Sequence, residues 1–176
     1  MGKKMFVRAL LLASVSISPL VFAPLRAAAQ TSHTASAGQV GLVGVWRLYR
    51  FEDTSKDGKV EKPYGDHPLG YFIYDRSGHL SVQIMRNPPL PKFTAVNGEP
   101  SDSEKVQAYR AYVSYFGTYR EDTAKHVLHH QVEGALDTTY TNTDQIRPYR
   151  LLGDTLIIED DRKDGSHFYR ELHRVR

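Results

Sequence analysis

From Leu42 onward, short runs rich in β-branched and aromatic residues alternate with turn signals. That rhythm constrains the fold more than any other feature. Each run presents alternate side chains to opposite faces and needs hydrogen-bonded neighbours at its edges. Leu42–Glu52 (LVGVWRLYRFE) comes first, followed by the turn Asp53–Lys59 with Asp57-Gly58 at its sharpest point. Tyr71–Asp75 and His79–Arg86 flank Arg76-Ser77-Gly78, a hairpin signal. Tyr115–Glu121 and His126–Glu133 flank Asp122–Lys125. Asp144–Leu151 and Thr155–Asp160 flank Leu152-Gly153-Asp154, and His167–Val175 comes last. Eight such runs predict an all-β chain, built as a sandwich or a barrel.

One stretch departs from the rhythm. Asn87–Pro100 carries Pro88, Pro89, Pro91 and Pro100, which excludes it from a central strand. Ser101 and Glu104 have capping-box spacing, and Val106, Tyr109, Tyr112, Val113 and Phe116 recur behind them at helical spacing. A helix is therefore expected over residues 102–114, with its aromatic stripe on the outside or mouth of the sheet.

Charge separates the chain into two objects. The sequence has 23 Lys and Arg against 20 Asp and Glu, a net +3, which invites a nucleic-acid partner. Yet Lys3, Lys4 and Arg8 precede a short apolar stretch, densest over Ala9–Val15, and Ala27–Ala29 supplies an A-x-A end. That order describes a secretory signal peptide over residues 1–29, cut after Ala29. An uncut anchor is the alternative, opposed by Ser14, Ser16, Ser18 and Pro19 within a short apolar core. Removing residues 1–29 takes four basic side chains and no acid, leaving 19 against 20. The basic balance then belongs to the leader, and the expectation is no nucleic acid. Residues 30–41 are polar and small, a flexible lead-in, and 42–176 form the folded domain. A periplasmic or secreted location follows, with no stable membrane insertion after cleavage. The chain has no cysteine, so packing rather than disulfides must hold it.

Five ordered stretches resemble the bacterial branch of the lipocalin-like domain family, within the wider calycin group. They are Leu42–Leu48 with its Gly44-Val45-Trp46; Pro68–Tyr74 with Gly78–Arg86; Tyr115–Tyr119; His129–Gly134; and Thr143–Arg147. The resemblance covers nearly all of residues 42–175. It implies an antiparallel eight-to-ten-stranded barrel with an internal cavity, here with one helix inserted mid-chain. It also implies structural roles for Trp46, at the closed end, and for Arg174 from the last strand, above the indole. The group includes small-ligand carriers and cyclase-type enzymes, so fold leaves activity open.

No nucleotide loop, nucleophile elbow or paired carboxylates stand out, and no cofactor is expected. His126, His129 and His130 invite a metal, but four residues along a strand span about 13 Å, so no metal is expected. Polar residues at strand positions remain. Gln145, Arg147 and Tyr149 share one face, as do His129, Gln131 and Glu133, while Gln83 and Tyr119 fall on other strands. An arginine on a barrel wall needs a partner, either Glu133 or a ligand carboxylate. Gln83, Tyr119, His129, Glu133, Gln145 and Arg147 are thus the candidate polar contacts. Tyr71, Tyr74, Tyr109, Tyr112, Tyr115 and Tyr119 are candidate aromatic walls. The leading reading is a barrel that binds a small, largely apolar molecule. Two alternatives stay open. One is an isomerase- or cyclase-type enzyme with His129 or Glu133 as acid or base and Arg147 stabilising charge. The other is a docking module using loop 87–100 and helix 102–114.

Overall fold

The computed structural model describes residues 41–94 and 99–176. The expected signal peptide, and the lead-in up to residue 40, lie outside the described residues. Alternating apolar positions build eight long strands. They are β1 (Gly44–Thr54), β3 (Leu69–Tyr74), β4 (His79–Met85), β5 (Tyr112–Asp122), β6 (Val127–Ala135), β7 (Thr143–Leu152), β8 (Thr155–Asp161) and β9 (His167–Arg174). Each pairs antiparallel with its neighbours in sequence order, and β1 pairs with both β3 and β9, so the sheet closes. Closure leaves none of these eight with a free edge, which removes the usual hazard of an exposed strand. A two-residue strand, β2 (Val60–Glu61), adds to the far end of β1 and lies beyond the eight expected runs.

The inward face of each strand is its apolar face. Leu80, Val82 and Ile84 of β4 are buried, as are Leu128 and Val132 of β6 and Phe168 and Leu172 of β9. Two bulges modify the alternation. In β1 the register against β9 shifts between Leu48 and Arg50. Trp46 and Leu48 therefore face inward on one side of the shift, and Phe51 on the other. In β6, Phe116 pairs with Gly134 and Gly117 with Val132, leaving Glu133 as the extra residue.

One end of the barrel is plugged by Trp46, which is fully buried and donates from Nε1 to the Leu42 carbonyl at 2.8 Å. The Arg174 guanidinium covers the indole at 4.0 Å and donates to the carbonyls of Val43 and Gly41.

The helix is shorter than its periodicity predicts. α1 spans Asp102–Arg110, capped by Ser101 and Glu104 in a reciprocal box, and buries none of its residues. Tyr112, Val113 and Phe116 belong to β5, where Tyr112 pairs with Met85 of β4. Their spacing fits a helix, but the β-branched and aromatic run YVSYFGTY goes to the sheet, with Val113 on the inward face and Phe116 exposed on the outer one. Among the described residues, no helix is long and apolar enough to cross a membrane.

Candidate functional site

The end opposite Trp46 holds a cavity of about 460 Å³. A volume of that size lies within the usual range for small-molecule sites. Phe51, Tyr64, Phe72, Tyr115, Tyr140 and Phe168 supply aromatic walls, with Val82, Ile84 and Ile158 between them. Tyr109 and Arg110 of α1 reach its rim beside Leu136. Tyr109 and Leu136 are exposed, so the rim is open to water.

The six expected polar contacts divide by strand parity. Gln145 and Arg147 line the cavity from β7. Tyr119 is on the inward face of β5 but outside the cavity lining; its ring packs edge-on to Tyr74 at 5.0 Å and its hydroxyl donates to the Asp75 carbonyl at 2.8 Å. Gln83, His129 and Glu133 are corrected to the outer surface. Gln83 is exposed between buried Val82 and Ile84 and accepts from the Tyr112 hydroxyl at 3.1 Å. His129 pairs with Asp144 through Nδ1 at 2.7 Å. Glu133 is exposed at the β6 bulge, so it is not the partner of Arg147. The acid–base role expected of His129 or Glu133 falls with this placement. Of the expected aromatic walls, Tyr109, Tyr112 and Tyr115 line the cavity. Tyr71 is exposed on the outside, and Tyr74 is in the core. His126 is a turn residue with φ of 55°, not part of the strand.

His130 was missed. It is completely buried, with Tyr74 Oη 3.0 Å from Nε2 and Tyr115 Oη 3.0 Å from Nδ1. Burial, with a smaller contribution from the nearby Arg147 charge, lowers its pKa to about 3. Burial raises the Tyr115 hydroxyl to about 12, partly offset by Arg147. At neutral pH both are uncharged, so one ring nitrogen donates and the other accepts. The signal was present in the sequence: Leu128 and Val132 mark the inward parity of β6, and His130 shares it.

Two more interior groups were also missed. Arg170 is buried and donates to Asp53 Oδ1 at 2.8 Å and to the Glu52 carbonyl at 2.6 Å. Its guanidinium lies 3.2 Å from the Phe51 ring centre. Phe168 and Leu172 mark its parity, as Leu128 marks that of His130. Asp53 had no such signal, because the β1 bulge reverses the faces before it.

Chemically, this is a chamber of aromatic and aliphatic walls with fixed polar and charged groups set among them, four arginines and two aspartates included. Such an arrangement can hold and orient an organic molecule. Curated proteins gave no match to the chain. The model of the lipocalin-like domain family matches residues 43–169. With the closed barrel, that match makes the chain a member of the lipocalin-like domain family.

Proposed function

We propose that this is an exported barrel that holds a small, largely apolar molecule in its interior. The open aromatic cavity supports this most directly: a barrel of this size can fill itself with side chains, and this one leaves about 460 Å³ unfilled. The position of Arg147, Gln145 and Tyr115 on its wall adds a polar anchor. The composition of residues 1–29 supports export, with Gln30 as the first residue of the mature chain.

Native mass spectrometry of protein recovered from the envelope or medium of producing cells tests both parts. The expected spectrum shows a chain beginning at Gln30 with the added mass of a small molecule that organic solvent extracts. A chain retained inside the cell with Met1 in place would contradict export. Protein with no adduct that also fails to take up the neutral apolar dye Nile red would contradict ligand binding.

A further inference from the structure

The cavity wall carries more positive charge than its own acids balance, Arg110, Arg147, Arg162 and Arg170 against Asp53 and Asp137. The guanidinium carbons of Arg147, Arg162 and Arg170 lie 5.7, 5.2 and 5.4 Å from the centre of one ring, Phe168. Asp53 is the carboxylate that serves this group, 2.8 Å from Arg170 and 3.8 Å from Arg162. Asp137, the other acid on the cavity wall, accepts from the Thr139 amide and hydroxyl. Arg147 joins no ion pair among the described residues, and the residues outside them contain no Asp or Glu.

Arg147 is nonetheless held in place. It donates to Gln145 Oε1 at 3.0 Å and to the Ile146 carbonyl at 3.1 Å. Gln145 donates in turn to Thr143 Oγ1 at 2.7 Å, and Thr143 to the Tyr140 carbonyl at 2.6 Å. Every acceptor in this chain is neutral. It fixes the direction of the cation and leaves its charge unbalanced, with three of the five guanidinium N–H groups unused by these bonds. Tyr115 lies close enough to feel the Arg147 charge and is backed by His130. When His130 donates from Nδ1 to Tyr115 Oη and accepts from Tyr74 at Nε2, the Tyr115 proton is free to point into the cavity.

From this geometry we infer that the ligand is an amphiphile with one carboxylate on an apolar body, its carboxylate taken by Arg147 and the Tyr115 hydroxyl. The inference rests on the barrel being a small-molecule carrier. A guanidinium that joins no ion pair among the described residues, beside a neutral hydroxyl, suits a monoanion, and the planar fork suits a carboxylate. Aromatic and aliphatic walls take the rest.

Displacement of Nile red by decanoate, decanol and decylamine tests it, because the three share a chain and differ in head group. The expected order is decanoate first, at about tenfold lower concentration than decanol, with decylamine weakest. Arg147→Met is expected to bring the displacing concentrations of decanoate and decanol within about twofold of each other, and Tyr115→Phe to cut the preference about threefold. The comparison of head groups in the unaltered protein needs no variant to fold. Nile red uptake with equal displacement by decanoate and decanol would overturn the anion site and leave the carrier standing. A preference for decanoate that survives in Arg147→Met would overturn the role of Arg147. Failure of Nile red and all three chains to bind would overturn the carrier reading, and this inference with it.

Discussion

Two residues show how the interior is specified atom by atom. At Gly44, φ is +150° and a Cβ would lie 2.6 Å from Arg174 Nη1. The glycine two positions before Trp46 is thus the space through which the arginine reaches the indole. Gly44→Ala is expected to destabilise by roughly 2 kcal/mol in urea titrations, through backbone strain and displacement of Arg174. The loss should shrink in the Arg174→Ala background, since one steric conflict is then gone. Full additivity would contradict the contact. His130 makes a second prediction, in pH. Its folded pKa of about 3 lies below its ordinary value of 6.5, so the folded state stays neutral while the unfolded chain takes up a proton. Its contribution is therefore at its best above pH 6.5 and is lost as pH falls toward 3, by up to about 1.4 kcal/mol per pH unit. His130→Gln is expected to remove that one-proton slope from urea-derived stability measured between about pH 4 and about pH 8. Equal slopes in the two proteins would show that His130 does not stay neutral.

At the scale of elements, the capping box and the strand rhythm were legible, while faces and boundaries were less so. Ser101 and Glu104 bond each other's backbone amides as their spacing predicts, and Glu104 also accepts from the Thr94 amide at 2.7 Å. Four such bonds to its carboxylate hold the Glu104 pKa at about 2. Since α1 buries none of its residues, its cap matters more than its packing. Ser101→Ala is expected to cost the helix about 1 kcal/mol, seen as faster amide exchange over α1 with the strands unchanged. Uniform loss of protection across the barrel would contradict this local role. The end of α1 was misread because Tyr109, Tyr112, Val113 and Phe116 keep helical spacing across the boundary, while the β-branched and aromatic residues after Ala111 pair with β4. Strand faces were recoverable where aliphatic residues mark them, as Val82 and Ile84 do on either side of Gln83. They were not recoverable beyond a bulge. The shift after Leu48 turns Phe51 and Asp53 inward, where simple alternation would have turned Arg50 and Glu52.

For the whole molecule, the barrel was readable because closure satisfies every long strand that the rhythm produces. The cavity was not. Its volume depends on which of two parities each strand adopts and where two bulges reverse them. An extra residue at Glu133 turns Ala135 onto the cavity wall, one residue before exposed Leu136. Molecules that bind inside this chamber rather than on the outer surface should be excluded by filling it. Nile red titration of two variants tests this most directly. Ala135→Trp puts an indole into the cavity, and Gln83→Trp puts the same indole on the outer face. Ala135→Trp is expected to weaken dye binding by about tenfold or more, with folding retained in the circular dichroism spectrum, while Gln83→Trp binds as the unaltered protein does. Undiminished binding in Ala135→Trp, or an equal loss in Gln83→Trp, would contradict binding inside the chamber.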